Sequence, residues 1–403
     1  MKDYLLLAFS NLRRRKLRSW LTIIGIFIGI AAIVAFISLG QGLENYINEQ
    51  VSELGSDIIL IMGKTGSVIS PMASFMSNKP LTDNDVELVE KIRGVEIASS
   101  MIMYSVNIEY GEETKGILIY SMDPEDIDEL FGQLSSFDVQ FGRDLKPGDK
   151  YKAVIGERFH EYFEKDIRLG SKLEIEGYTF DIVGILKSIG NPQDDMSIYI
   201  PNNVMREILD EPEKVSIIYV KTGKGQVDKV AEDIEKEMRR DRNEKEGEES
   251  FDVSTSEQLL ETFGDILAVV QAIVIGIAAI SLVVGGIGIM NTMYTSVVER
   301  TKEIGTMKAV GAKNSDILKI FLFESGFLGL IGGVIGLAFG MAISKGVEYA
   351  IVNFYALQLL RITFDPVLIG SVLAFSFIVG SLSGLLPAIQ ASKLKPADAL
   401  RYE

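Results

Sequence analysis

Any chemistry in this chain has to come from a short set of residues. His160 is the one histidine. It lies in GERFHEYF, with nothing around it that suggests a Ser-His-Asp relay, so a surface or half-buried helix position accounts for it better. GKTGS (Gly63–Ser67) resembles the end of a phosphate loop. Ile58 and Ile59 stand where the upstream glycine belongs, and the stretch reads as a flexible loop. GGIGIMN (Gly285–Asn291) follows no strand and lies in an apolar run. Its glycines suit helix packing and not a nucleotide fingerprint. DPEDIDEL (Asp123–Leu130) lacks the glycine and ligand spacing of a calcium loop and reads as a solvated helix face. With no cysteine, disulfides, thiolate zinc sites and thiol catalysis are excluded. The expectation is a non-enzyme: no catalytic residue, no metal ligands, no cofactor of its own and no ATP site.

Two features remain. VVERTKEIGTMKAVGA (Val297–Ala312) is a short, amphipathic, charged stretch between two of the most apolar runs in the chain. Glu324 is the one charge deep inside an apolar run. It stands about five residues past the run's inner end, roughly 7 Å in by helix rise. An ionised group there needs a partner, and a base among Arg13–Arg18 is the expected one.

These residues are positioned by membrane-spanning helices. About twenty mostly apolar residues cross a bilayer, and four stretches qualify, at 20–40, 266–290, 317–344 and 366–392. The first is too long for a signal peptide and no clean cleavage site follows it. Lysine and arginine set direction. Residues 1–19 hold six, loop 291–316 four and tail 393–403 three, whereas 41–60 and 246–265 hold none. Both termini and the 291–316 loop are therefore expected in the cytoplasm of a multi-pass plasma-membrane protein, with 41–265 and the short loop 345–365 outside. Residues 41–265 carry 24 bases and 47 acids, a net of 24 − 47 = −23, and the remainder carries 16 − 9 = +7. That distribution argues against a nucleic-acid partner.

The outer segment mixes strand and helix patterns, an α+β domain with room for two lobes. SDIILIMG reads as a strand. TDNDVELVEKIRG reads as a helix with Thr82 as N-cap and Gly94 past its end. ASSMIMYSVNIEYGEETKGILIYSM and KLEIEGYTFDIVGIL read as strand pairs, the second turning at Glu176-Gly177. VSIIYVKTG is a strand before a polar helix from Gln226 to about Asn243. Ser254 and Glu257 have capping-box spacing, and from there a helix is expected to run from about Thr255 to about Tyr294. At 1.5 Å per residue it would be roughly 60 Å long, about twice the bilayer core. A second stalk helix is expected after the first span. Gly25 with Gly29, Gly332 with Gly336 and Gly340, and Gly380 with Gly384 have the four-residue spacing of close helix packing, within one subunit or between two.

NLRRRKLRSWLTIIGIFIGIAAIVA, YKAVIGERF, LGSKLEIEGYTFDIVGIL, VVERTKEIGTMKAVGAKNSDILKIFLFES and LPAIQASKLKPADALRYE follow one another over nearly the whole chain. In order and spacing they resemble the FtsX/MacB-type permeases of ABC transporters, which include the lipoprotein-releasing LolC and LolE; the similarity is closest to the MacB-like permeases. The resemblance implies four spans and an outer domain of a porter-like lobe with an inserted second lobe. It also implies a permease dimer working with two cytoplasmic ATPase domains of LolD/MacB type. In macrolide-exporter MacB the ATPase precedes the first span. Only nineteen residues do so here, so the ATPase, and the ATP it binds, are expected on a separate subunit. The implied mechanism is mechanotransmission, in which ATP-driven movement passes up the stalks to the outer domain for export or extraction of a substrate. The alternative is an FtsX-like transducer that controls an outer enzyme or receptor and transports nothing.

Under the same resemblance, VVERTKEIGTMKAVGA is the coupling helix that docks in the ATPase. Val298, Ile304, Met307 and either Ala309 or Val310 would give it an apolar stripe. Glu299, Arg300, Glu303 and Lys308 would supply charge-assisted bonds, and Gly305 and Gly311 would allow close approach. Acids beside the bases favour a protein partner over anionic lipid. Glu324 matches a carboxylate common at this place in the family.

Overall fold

The computed structural model describes residues 16–64, 79–131, 138–163, 167–188, 192–354 and 361–400. Arg13–Arg15 and most of GKTGS lie outside the described residues. Contacts divide the chain into two units, residues 46–264 with 352–359, and residues 1–45 with 265–351 and 360–403.

Helix α1 (Lys16–Leu54) carries the first apolar run and continues past it. The α/β unit then begins with β1 (Ile58–Gly63), buried at every position. Helix α2 (Asp83–Glu90) starts from the short β2 (Leu81–Thr82). Asp85 accepts from the Thr82 backbone N–H at 2.7 Å and from its hydroxyl at 3.0 Å, which fixes the expected cap. The first predicted hairpin is β3 (Val95–Tyr110) with β4 (Glu113–Ser121), and α3 (Pro124–Phe131) follows. After β5 (Val139–Gly142) and β6 (Lys152–Ile155), a 3₁₀ turn at Glu157–Tyr162 leaves His160 exposed, its Nδ1 2.9 Å from the Glu157 carbonyl. The second hairpin joins β7 (Lys172–Ile175) to β8 (Tyr178–Leu186). Its turn needs two positive φ angles, 46° at Glu176 and 84° at Gly177, and glycine meets that demand without strain. Next come α4 (Pro192–Asp195), β9 (Ile198–Ile200), α5 (Asn202–Leu209), β10 (Lys214–Val215), β11 (Ile217–Thr222), α6 (Val227–Asp241) and β12 (Phe251–Thr255). The VSIIYVKTG strand is thus two pieces, parted at Ser216, whose buried hydroxyl accepts from the Met103 N–H at 2.9 Å.

The main sheet runs β12-β1-β11-β3-β4-β9-β6-β8-β5, with β7 on β3 and β8. Strand alternation assigns its faces. Ile58, Leu60 and Met62 of β1 and Ile217 of β11 enter one core, and Ile59, Ile61, Ile218 and Val220 enter another beneath α2 and α6. The first half of β3 pairs β11 and the second half pairs β4. Beyond Met101 a separate core forms around Ile102, Phe159, Phe180 and Val204. Met122, Leu145, Val154 and Leu186 of the same stretch join the Ile58 core instead, so the one sheet carries both cores within a single unit.

The remaining helices are α7 (Ser256–Glu299), which enters the helical unit from residue 265, α8 (Thr301–Ala309), α9 (Asn314–Phe354), which stays in it to residue 351, α10 (Pro366–Ser383), α11 (Leu385–Lys393) and α12 (Pro396–Leu400). Among the described residues, four helices are long and apolar enough to cross a membrane: Ile24–Ser52, Ser256–Glu299, Asn314–Asn353 and Pro366–Ser383. Two expectations are corrected in detail. The capping box of α7 is Thr255/Gln258, with reciprocal bonds of 2.9 and 3.2 Å. Ser254 is still within β12 and donates to Asp252. The last apolar run is not one helix to 392, because it stops at Ser383 and restarts at Leu385. Pro387 is the reason, since it has no N–H and its ring would press on the carbonyl four residues back, that of Ser383.

These helices meet through small residues. A Cβ on Gly25 would lie 2.6 Å from Gly285 Cα, one on Gly336 2.8 Å from the Phe27 carbonyl oxygen, and one on Gly380 2.8 Å from Gly329 Cα. Gly29, Gly340 and Gly384 likewise each lie against another helix of the same chain.

Candidate coupling site

The site is assembled where α7 ends. Thr301, buried, donates its hydroxyl to the Val297 and Val298 carbonyls at 3.0 and 2.8 Å, satisfying acceptors that a helix end leaves open. Arg300 sits between the two helices with φ −101° and ψ 14°. The expected single helix over Val297–Ala312 is thereby corrected. Val297–Glu299 close the long α7, and α8 is Thr301–Ala309. The end of α8 is a Schellman turn: Ala312 N–H bonds the Met307 carbonyl and Gly311 N–H the Lys308 carbonyl, at 3.0 and 3.1 Å. Gly311 has φ 109°, a conformation that favours glycine. Lys313 N–H then donates to Asp316 at 3.1 Å at the start of α9.

Arg300 holds two carboxylates. Its Nε donates to Glu303 at 3.0 Å and its Nη1 to Glu324 at 2.9 Å, with the guanidinium 5.6 Å above the Phe321 ring. Glu324 thus meets Arg300, while the side chains of Arg13–Arg18, the expected source of its partner, lie outside the described residues. Its partner comes from the loop before its own helix, and the pair is half-buried. Removing one member would strand a charge in a poorly solvated place.

Four more predicted docking residues also turn inward or to the chain itself. Ile304 is fully buried. Gly305 is buried, and a Cβ there would lie 2.8 Å from Ala399 Cβ on α12. Lys308 donates to the carbonyls of Ser392 and Leu394, both at 2.6 Å. Met307 packs on the bundle core. The expectation that Ile304, Gly305 and Lys308 offer themselves to a partner is corrected: they carry α8 on the rest of the bundle. Val298 and Val310, 53% and 86% exposed, face out, with Glu299, Lys302, Glu303, Thr306, Ala309 and Gly311. The outward surface of α8 is therefore mostly polar with one bare valine at its turn. Among the described residues no group of three or more histidines and acids could hold a metal ion.

The sequence family described as MacB-like periplasmic core domain matches residues 19–237, and the one described as FtsX-like permease C-terminal matches residues 275–396. An uncharacterized ABC transporter permease of Methanocaldococcus jannaschii is 38% identical over 403 residues, covering 100% of this chain and 98% of the relative. YknZ of Bacillus subtilis, also named an uncharacterized ABC transporter permease, is 32% identical over 98% of both chains. A Bdellovibrio bacteriovorus protein named macrolide export ATP-binding/permease protein MacB is 31% identical, and the match takes in all of this chain but 62% of that longer protein. The crystal structure of the periplasmic region of MacB from Actinobacillus actinomycetemcomitans aligns over 54% of this chain and 97% of its own length, at 15% identity and a TM-score of 0.43.

Proposed function

The chain belongs to the MacB-like and FtsX-like ABC transporter permeases, and from that membership we propose that it couples ATP hydrolysis by a separate cytoplasmic ATPase to movement of its outer α/β domain, for export or extraction of a substrate. The observation that carries the reading is α7. It is unbroken for 44 residues, from the residue after the cap that ends β12 to the residue before Arg300. At 1.5 Å per residue it is about 66 Å long, roughly twice a bilayer core. A stiff element of that length, with a sheet strand at one end and α8 at the other, can pass displacement between them.

In this reading the ATPase meets the outward surface of α8 at Lys302, Thr306, Ala309 and Val310. The relatives matched over 98% of their own length are named permeases alone, while the longer MacB relative is named ATP-binding/permease. That contrast supports an ATPase on another subunit. The basic segments at 1–19, 291–316 and 393–403 support placing α8 and both termini in the cytoplasm. Two copies of the chain with two ATPases complete the proposed assembly.

The test is co-purification from membranes with a candidate cytoplasmic ABC ATPase supplied as a separate chain. Lys302→Glu with Val310→Asp changes only exposed side chains, and should lower retained ATPase and stimulated hydrolysis about tenfold, the effect of ~1.4 kcal/mol at an interface. Retention and stimulation equal to the unmodified chain would refute the reading.

A further inference from the structure

We propose that the C-terminal segment Leu394–Leu400 is a strap that holds α8 in its working orientation, with Lys308 and Gly305 as positioning residues for coupling. The proposal rests on the reading of α8 as the element that meets the ATPase. Two independent contacts carry it.

The first is electrostatic. A helix leaves its last carbonyls without partners and gathers partial negative charge there. Helix α11 ends at Lys393, and the Lys308 ammonium donates to the Ser392 and Leu394 carbonyls, both at 2.6 Å. One cation from α8 thus closes the end of α11 at the point where the chain turns away towards α12. Ser392 is buried, and Leu394 packs with Met307 on the same core.

The second contact is steric. Ala399, 2% exposed, occupies the space a side chain at position 305 would need, with its Cβ 2.8 Å from where a Gly305 Cβ would stand. The next atoms, the Ala399 carbonyl carbon and Leu400 Cγ, are both at 3.5 Å, ordinary contact distance. Glycine at 305 and alanine at 399 therefore fit as a pair. Helix α12 holds its own shape through the Ala399 N–H to Lys395 carbonyl bond of 3.0 Å.

The inward face of α8 is thus covered by the chain itself, by the tail at Gly305 and Lys308 and by the bundle core at Ile304 and Met307, which leaves the outward face for a partner. A push received by α8 reaches α11 and α12 at once, so the three segments move as one body.

The experiment is ATPase stimulation by the full chain reconstituted with its cytoplasmic ATPase. Gly305→Ala should lower stimulation several-fold and Gly305→Val further. The pair Gly305→Ala with Ala399→Gly, which moves one methyl across the contact, should restore it. Lys308→Met should lose stimulation about tenfold, the scale of a charge-assisted hydrogen bond, and Lys308→Arg should recover most of it. Full stimulation by Gly305→Ala and by Lys308→Met would overturn the strap, and so would loss in Gly305→Ala that the second substitution fails to repair. If a position-305 variant does not reach the membrane, the Lys308→Met and Lys308→Arg pair decides alone. Failure of the unmodified chain to bind any cytoplasmic ATPase would instead remove the underlying reading.

Discussion

Arg242 and Gly329 show how differently the two units hold themselves together. In the α/β unit, Arg242 donates to both oxygens of Asp85 at 2.9 and 2.6 Å, to the Ser250 hydroxyl and to the Pro80 carbonyl, with Phe251 beneath its guanidinium. The pair ties the end of α6 to the start of α2, and Asp85 is only 4% exposed. In the helical unit, a Cβ at Gly329 would lie 2.3 Å from the Ser376 carbonyl oxygen. The first unit folds against water, so large apolar residues fill its cores and a buried charge is tolerated where it is paired and hydrogen-bonded, as Asp85 is. The second has no such drive between helices, since lipid tails are as apolar as leucine. Its cohesion comes from the close approach of backbones at small residues.

The largest expected effect is therefore electrostatic and lies in the α/β unit. Arg242→Met leaves the Asp85 carboxylate buried without its partner and should cost about 3–5 kcal/mol, read as a fall in the first thermal transition of the detergent-solubilised chain. A cost within that of a surface substitution would mean that water reaches Asp85. The next effect tests the helical unit by sign. Gly329→Ala forces α9 and α10 apart and should cost about 1–3 kcal/mol. Gly370→Ala on the same α10 meets nothing within 4 Å, and by helix propensity should stabilise by up to about 1 kcal/mol. Two shifts of the same sign would end the claim that these helices are held by backbone proximity.

Patterns along the chain foretold elements better than partners. Apolar runs, turn glycines and the Thr82 cap are local signals, and they foretold the long apolar helices, both hairpins and the mixed α and β character of the outer domain. The Arg300–Glu324 pair was hidden because any nearby base satisfies a buried carboxylate, and the cluster at Arg13–Arg18 looked the denser source. The ties of Lys308 were hidden for a stronger reason: its acceptors are backbone carbonyls, which every residue carries. Gly305 was legible as a place of close approach, but its spacing could not say that the approaching atom belongs to Ala399. The capping box slipped by one residue because Thr255 serves both as the last strand residue of β12 and as the cap of α7, whereas Ser254 has the same residue chemistry one place earlier.

The smallest expected effect sharpens the contrast from the polar side. Not every acid drawn into the α/β unit is as well supplied as Asp85, and Asp126 is a half-buried one. Asp126 on α3 has the Ser99 hydroxyl as donor, but burial pushes its carboxyl pKa up, against that hydrogen bond, and Asp123, Glu125 and Glu129 add to the rise. A carboxyl whose pKa is raised on folding favours the folded state most below the unfolded value, about 3.9, and that contribution is lost as pH climbs through the folded value. At pH 7 the charge is therefore a burden. Asp126→Asn keeps an acceptor for Ser99 and removes the charge, so it should stabilise the unit by less than ~1 kcal/mol at pH 7. The gain should shrink towards zero as the buffer is brought to the ordinary carboxylate range, where the native side chain is already protonated. Thermal unfolding of the two proteins side by side across that range measures it. A gain that stays constant with pH would assign the effect to packing, and a loss at pH 7 would show that the ionised Asp126 is as well served as the Asp85 carboxylate held by Arg242.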